Sequence, residues 1–599
     1  MVIRLLMNAP ANATNELLAR AKQWAENDPD PAARAEIEAL LASSDIGKTD
    51  LADRFAGSLE FGTAGLRGII GAGPNRMNRA VVIRTTWGLA RFLHASKAKG
   101  GVVIAFDGRR MSRELAADTA CVLAAAGIPS SLFADVEPTP MLAFAVTHLG
   151  CAAGVMVTAS HNPPEYNGYK AYWDNGAQIV PPIDVGIASE IDRAPAAKDV
   201  PYMPLDEARK KGLVTILDDE LEKAYLAEVK KLSVRSDGPR DFAIVYTPLH
   251  GVGDKLARLA LAQAGFSNVT SVPEQQKPDG AFPTVKFPNP EEKGAMDLSF
   301  SLARSKKADL VIANDPDADR LAIAVPDASS PTGYQQLTGN QVGVMLGHYI
   351  LTGGLKNHRA EAVKGAPLVL ESIVSSPMLG VIAEEMSVRY EEVLTGFKWI
   401  ANRAMDLKAS EGMHFLFGYE EALGYTVGEL VRDKDGISAA VTFAELTAIL
   451  RAKGTTVLAH LESLYRHYGL FVSSQVSLTR KGAEGAAEIR AIMARLRGSP
   501  PKIIGSHEVL AVRDYMAQVR TAKNGEKAPI TLPKSDVLTF ELSGGCRIIA
   551  RPSGTEPKAK FYFDVREAMS ESEPVAAAEE RAAITMKKLA DAFMAIAAP

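Results

Sequence analysis

The sequence predicts an α/β fold: three consecutive mixed α/β domains followed by a smaller C-terminal α+β domain. Three observations predict it. The chain has 599 residues, several times the roughly 100–200 that one hydrophobic core organises. Short apolar strands alternating with helical runs begin three separate times, which is the pattern of βαβ units. After about residue 475 the alternation gives way to strand following strand with helices at the flanks.

In chain order, residues 14–43 hold two helical patterns broken at Asp28-Pro29-Asp30-Pro31, an extension ahead of the first motif. A helical run from Asn78 to about Ser96 leads into the apolar strand GVVIAFDGR. A helix from Ser112 to Gly127, the strand SSLFADV, a helix from Thr139 and the strand AAGVMVT follow. Ser112 reads as an N-cap and Gly127 as the left-handed residue closing the helix, and the strands imply a parallel sheet. The grammar restarts at DFAIVYTPLHGVG (241–253) with ADLVIAND, and again at PLVLES (367–372) with a helix and RYEEVL. A helix near 482–497, the strands VLAV, DVLTFEL, CRIIA and KAKFYFDV, and a helix from about Glu573 complete the chain. The expected domains are 1–236, 237–342, 343–475 and 476–599.

Bulk properties exclude several classes. Lys plus Arg number 67 against 71 Asp plus Glu, a net charge of −4 that gives no case for nucleic acid. No stretch approaches the roughly 18 apolar residues that cross a bilayer. The opening MVIRLLMNAPANA lacks the apolar core of a signal peptide, so the expectation is a cytoplasmic protein without a membrane partner. Cys121, Cys151 and Cys546 are too few and too scattered for a disulfide framework or a zinc cluster; they read as buried thiols.

Four loops carry chemistry. Thr158-Ala159-Ser160-His161-Asn162-Pro163-Pro164 directly follows an apolar strand, where open α/β sheets place their ligands. Its prolines stiffen a turn able to hold one hydroxyl, making Ser160 the candidate nucleophile, although a serine in such a loop also reads as a plain turn former. Asp315-Pro316-Asp317-Ala318-Asp319-Arg320 lies between two apolar strands. Three carboxylates at alternate positions repel without a cation, and Mg²⁺ fits if a phosphoryl oxygen completes its shell; the other reading is a solvated acidic turn. An EF-hand is disfavoured because Arg320 and Pro326 replace its glycine and glutamate.

In Gly418-Tyr419-Glu420-Glu421-Ala422-Leu423-Gly424 the adjacent glutamates suit hydrogen bonding to sugar hydroxyls, since an ionised carboxylate accepts from two donors. Upstream, Thr395-Gly396-Phe397-Lys398 opens a helix and offers a cation, Lys398, to the same ligand. Finally, Arg551-Pro552-Ser553-Gly554-Thr555-Glu556-Pro557-Lys558 combines a guanidinium, two hydroxyls and a glycine-exposed N–H. That is the chemistry of a phosphate cradle, or of an ordinary hairpin.

Together with FGTAGLRG (61–68), TASHNPPEYNGYK (158–170), TPLHGVG (247–253), FPNPEE (287–292), DPDADR, TGFKWI, GYEEALGY and RPSGTEPKAKFY, these loops resemble the α-D-phosphohexomutase superfamily of phosphoglucomutases and phosphomannomutases. The resemblance spans roughly residues 60–565. It implies four domains in a heart shape, one loop from each meeting in a central cleft: a phosphoserine, a metal-binding, a sugar-binding and a phosphate-binding domain. It implies that Ser160 is phosphorylated in the active form, and that this phosphoserine with Asp315, Asp317 and Asp319 holds one Mg²⁺ per active site. A sugar 1,6-bisphosphate is the implied intermediate and activator. Arg551, Ser553, Gly554 and Thr555 would clamp the phosphate that is not reacting, and Glu420 would bind sugar hydroxyls, with Thr395, Gly396 and Lys398 nearby. Arg67, His161, Lys170 and Arg320 match active-site positions, Lys170 or His161 being the implied proton shuttle.

Where the family's sugar loop often reads Gly-Glu-x-Ser, Ala422 stands at the serine position. With the YEEA wording and the N-terminal extension, this resembles the branch of phosphopentomutases and broad phosphoglucomutases. The expected substrate is glucose 1-phosphate, interconverted with glucose 6-phosphate; ribose or deoxyribose phosphate and mannose phosphate are the alternatives. The expected assembly is a monomer or weak homodimer. A sugar-phosphate-binding regulator without turnover and a phosphatase are the competing classes.

Overall fold

Two mixed sheets organise the first half of the chain. The computed structural model describes residues 11–43, 45–61, 65–354, 365–480, 482–552 and 558–598. These fall into two units. The first comprises Met1–Leu337 with Gly396–Asn402 and Leu423–Ala448, the second Thr338–Thr395, Arg403–Ala422 and Ile449–Pro599.

In the first unit, β1 (Leu66–Ile69), β2 (Val102–Phe106), β3 (Ser130–Phe133), β4 (Ala153–Val157), β5 (Tyr166–Trp173) and β6 (Val214–Leu217) form a sheet in the order β1-β5-β4-β2-β3-β6. Every residue of β2 and β4 is buried, as expected of parallel strands covered on both faces. Val102, Ile104, Phe106, Val155 and Val157 pack with Leu89, Leu115 and Leu123 of the flanking helices. The sheet is not wholly parallel, however. β5 runs antiparallel to β4, and β1 antiparallel to β5. The reason is connection length: between Val157 and Tyr166 there are too few residues for the dozen or so that a parallel crossover needs. The Ser160 loop is therefore a hairpin connection.

The second sheet contains β7 (Ile244–Thr247), β8 (Val269–Ser271), β9 (Leu310–Ala313), β10 (Ala322–Pro326) and β11 (Tyr334–Gln336), ordered β11-β10-β9-β7-β8. β7, β8 and β9 are parallel, whereas β10 returns antiparallel to β9. The aspartate loop is again the connection that reverses the chain.

The helix Ser112–Ala125 starts at Met111, whose φ of +65° lies in the left-handed region. Ser112 is its first residue rather than its cap, because its hydroxyl is drawn to Asp107 Oδ1 at 2.7 Å. Gly127 takes φ +74° just beyond the cap residue Ala126, as predicted. The N-terminal extension forms helices Ala11–Asn27 and Pro31–Leu41, the second capped by Asp30 with Pro31 at its first position, and a third, Asp45–Arg54. They share a small core of Ala21, Ala25, Ile37, Leu51 and Phe55.

The second unit contains the parallel strands β12 (Pro367–Ser372), β13 (Arg389–Val393) and β14 (His414–Glu420) and an antiparallel C-terminal sheet. In that sheet Leu470–Thr479 pairs with Lys558–Glu567 along its full length, followed by Arg547–Pro552, Leu538–Leu542 and His507–Asp514. The strand Leu470–Thr479 runs across residue 475. Phe593 of the helix Val575–Ala597 packs against Phe540, Phe561 and Phe563, covering one face.

Candidate active site

The chain leaves β4 at Val157 and must present Ser160 within three residues. Ser160 adopts φ +51°, a left-handed conformation that costs an L-residue roughly 1–2 kcal/mol. The surroundings hold it there. Its N–H donates to Thr158 Oγ1 (2.8 Å), and that hydroxyl donates to Asp107 Oδ2 (2.6 Å) at the end of β2. The buried Arg109 guanidinium donates to the carbonyls of Ser160 (2.6 Å), Asn162 (2.5 Å), Pro163 (2.8 Å) and Tyr166 (3.1 Å), fastening the loop at both ends. Arg67 of β1 donates to Asn162 Oδ1 at 2.9 Å. On the neighbouring strand, a Cβ on Gly168 would lie 2.6 Å from the Thr158 carbonyl oxygen, so only glycine allows this approach.

Ser160 Oγ donates to Asp315 Oδ2 at 2.7 Å and lies 3.3 Å from His161 Nδ1. Asp315, Asp317 and Asp319 are all buried, and one oxygen of each lies within 4.8 Å of the others. The segment TPLHGVG braces their loop. Val252 N–H donates to the Pro316 carbonyl (2.9 Å), and a Cβ on Gly251 would meet Pro316 Cα at 2.3 Å. Thr139 bonds Asp317 twice, from its N–H to the carbonyl (2.9 Å) and from its hydroxyl to Oδ2 (2.7 Å). Asn314 Nδ2 donates to the Arg320 carbonyl (2.5 Å), closing the loop at its other end.

Two lysines, one buried and one half-buried, partly neutralise the triad. Lys170 Nζ, on β5, lies 2.7 Å from Asp317 Oδ2 and 3.1 Å from Asp319 Oδ2; Lys434 Nζ is also 3.1 Å from Asp319 Oδ2. The outcomes differ by residue. Burial, reinforced by the charges of Asp317 and Asp319, raises the Asp315 carboxyl well above the usual carboxylate range. Burial acts upward on Asp317 too, but the charge and hydrogen bond of Lys170 outweigh it and hold that carboxyl below its ordinary value. Burial acts downward on Lys170 and is overcome by Asp317 and Asp319, so the ammonium persists. His161 is held well below its ordinary value by burial and by the nearby Arg320 and Arg67, leaving it neutral.

Asp317 Oδ1 and Asp319 Oδ1 are buried with no hydrogen-bond partner among the described residues. Orphaned carboxylate oxygens are costly, and an all-oxygen set suits a hard divalent ion such as Mg²⁺. The residues present therefore fit the expected metal.

The first unit thus brings together Ser160, His161, Lys170, Arg67, Arg320 and the three aspartates. Lys398 also belongs to it; its ammonium reaches the Ile179 carbonyl at 3.3 Å and sits over the Trp399 ring. Gly396, ahead of that helix, takes φ +117°. In the second unit, Tyr562 lies within the fields of Glu420 and Glu421, at the end of β14, and of Arg551; burial and the Glu421 charge push its hydroxyl up to about 12 against the opposing Arg551. Ala422 is half-buried, and the Thr395 hydroxyl is buried without a hydrogen-bond partner among the described residues. Ser553, Gly554 and Thr555 lie outside the described residues.

Sequence reasoning missed Arg109, Asp107, Thr139 and Lys434. The signal for the first two was present in GVVIAFDGR, an acid and a base at the C-terminal end of a buried strand. Lys434 gave none, lying in the polar run VRDKDG. Its neighbour Asp433 accepts from Tyr172 Oη (2.7 Å) and Gln178 Nε2 (2.8 Å), tying that run to β5.

Residues 58–198, 223–328 and 338–468 match the models of phosphoglucomutase/phosphomannomutase α/β/α domains I, II and III. A protein of Haemophilus influenzae named probable phosphomannomutase is 42% identical over 82% of this chain and 93% of its own. The chain belongs to the phosphoglucomutase/phosphomannomutase family. The phosphopentomutase of Homo sapiens is 37% identical over 92% of each chain. The crystal structure of a phosphoglucomutase/phosphomannomutase family protein from Burkholderia thailandensis shares the fold, with a TM-score of 0.64 at 19% identity over 89% of this chain and 95% of that one. As a member of this family, the chain is an enzyme that transfers phosphate within sugar phosphates, an isomerase; the binding-regulator reading falls. No helix among the described residues is long and apolar enough to cross a membrane.

Proposed function

We propose that this phosphosugar mutase interconverts α-D-glucose 1-phosphate and glucose 6-phosphate through a phosphoserine at Ser160 and a glucose 1,6-bisphosphate intermediate. The observation that carries it is the contact of Ser160 Oγ with Asp315, beside carboxylate oxygens left without donors. Asp315, Asp317, Asp319 and phosphorylated Ser160 would hold Mg²⁺, whose charge stabilises the transferring phosphoryl group.

This chain's own residues do the rest. A sugar hydroxyl attacks the phosphorus on Ser160, and the bond from phosphorus to Oγ breaks, giving the bisphosphate. After the bisphosphate turns over, Oγ attacks the other phosphate and that P–O bond breaks. Lys170 stays cationic, clamped by two carboxylates, and so acts as a fixed charge beside the transfer. Neutral His161, with Nδ1 3.3 Å from Oγ, is the better candidate to accept and return the hydroxyl proton. Arg67 and Arg320 add positive charge at the same place. Arg551, with Ser553, Gly554 and Thr555, would clamp the second phosphate while Glu420, Lys398, Thr395 and Gly396 contact the sugar; such remote binding energy supplies orientation.

A second substrate reading, pentose 1-phosphate to 5-phosphate, is supported by the phosphopentomutase relative and by the hydroxyl absent at Ala422. Measuring kcat/KM on glucose, mannose, ribose and deoxyribose 1-phosphates, each with its bisphosphate, tests the choice. Glucose 1-phosphate is expected to lead, and a pentose phosphate leading by tenfold would replace it.

A further inference from the structure

Behind the aspartate loop lies a cavity of about 440 Å³, within the range of small-molecule sites. Its walls come from the segments that follow β3, β6, β7 and β8. All four are parallel strands, and the carboxyl ends of such strands are where open α/β sheets bind ligands. The aspartate loop follows β9, the neighbour of β7, and the Ser160 loop follows β4, which β2 separates from β3. Pro138 lines the cavity immediately before Thr139, which bonds Asp317, and Val252 lines it while bonding the Pro316 carbonyl.

Six carboxyl side chains and two lysines line this space, a balance that rejects phosphates and attracts cations. Its deepest acids are Glu137 and Glu222, each 6% exposed. Lys255 Nζ bonds Glu222 Oε1 at 2.6 Å and lies 3.6 Å from Asp219. Glu137 sits within the field of the Glu222 carboxylate, and both line the same cavity. One lysine thus faces two buried carboxyls, and the remaining charge requires a proton or a second cation. Burial and the Glu222 charge push Glu137 up to about 9, so a proton fills that role when nothing else does. Val136, Leu217 and Leu256 supply an apolar wall alongside.

We propose that this cavity is a second ligand site, taking a small alkyl amine with one ammonium group between the Glu137 and Glu222 carboxyls and its carbon chain against Val136, Leu217 and Leu256. Seating the ammonium displaces the Glu137 proton to solvent. No bond in the mutase reaction depends on it, and the site stands apart from the substrate proposed above.

The test is calorimetric titration of the full chain with 1,4-diaminobutane at neutral pH, in two buffers of different protonation enthalpy. The expected result is saturable binding whose heat differs between the buffers by about one released proton. Glu137→Gln and Glu222→Gln, each checked for an unchanged thermal midpoint, are expected to weaken binding at least about tenfold, while Asp317→Asn leaves it intact. Should one variant fail to fold, the other decides. The proposal is overturned if the parent shows no saturable binding, if both glutamine variants bind like the parent, or if Asp317→Asn alone abolishes binding, which would place the amine in the aspartate triad.

Discussion

Replacing Arg109 with Met tests whether the serine loop is held from beneath. The side chain keeps its approximate length but loses every donor, and four carbonyls of residues 160–166 lose a charged partner. Asp107 loses the guanidinium 3.4 Å away in a pair whose side chains are both fully buried. Breaking a buried pair costs about 3–5 kcal/mol. Each orphaned carbonyl adds about 1–3 kcal/mol if water cannot reach it, but neighbouring losses do not add. We take about 3–5 kcal/mol as the net loss of loop stability, because Asp107 keeps the hydroxyls of Thr158 and Ser112. That exceeds the roughly 1–2 kcal/mol that the positive φ of Ser160 costs, so without this support the loop relaxes, and a displacement of 1 Å is worth about a hundredfold in rate. The assay pairs hydrogen exchange over residues 158–166 with kcat. Expected are faster exchange confined to that loop and a kcat lower by about two orders of magnitude. Arg109→Lys should recover only part, since one ammonium cannot span the same carbonyls. Unchanged exchange with kcat within about twofold of the parent would refute the reasoning.

Other outcomes follow from the same geometry. Chelation should abolish turnover and Mg²⁺ restore it, with Asp317→Asn impaired in metal binding and chiefly in kcat; full activity of that variant in chelator would exclude the metal role. Arg551→Ala should bind sugar phosphate about ten- to a hundredfold more weakly, raising KM while Mg²⁺ binds normally, and unchanged sugar-phosphate affinity would remove Arg551 from the clamp. His161, held well below its ordinary value of 6.5, should remain neutral as pH falls through that value; an NMR titration with a midpoint at or above 6.5 would contradict the burial argument. For stability, the depressed Asp317 carboxyl contributes above its unfolded value of 3.8, and that contribution is lost as pH falls below it. Asp317→Asn should therefore flatten the acid limb of the thermal stability profile.

The chemistry of the site was largely legible because it lies in short contiguous runs: DPDAD announces a charge problem by spacing alone, and TASHNPP announces a stiffened hydroxyl. What holds those runs in place was not. Arg109 reaches its carbonyls about fifty residues away, and Lys434 meets Asp319 across more than a hundred, distances over which periodicity carries no information. The strand Leu470–Thr479 escaped because Ser474 interrupts its apolar alternation of Leu470, Val472, Val476 and Leu478, of which only Leu470 is fully buried, while most of its outward positions are polar and exposed. β5 was hidden for the opposite reason. Six of its eight residues are buried, yet YNGYKAYW mixes glycine, asparagine and lysine into the run because Asn167 and Lys170 face polar partners inside.

The account's central claim is that Ser160 carries the transferred phosphoryl group. Intact-mass measurement of freshly purified enzyme, with fragmentation to locate the modification, tests it most directly. A fraction heavier by one phosphoryl group is predicted, mapping to Ser160, transferred to added sugar monophosphate and absent, together with turnover, in Ser160→Ala. A label on another residue, or parental turnover in Ser160→Ala, would contradict it.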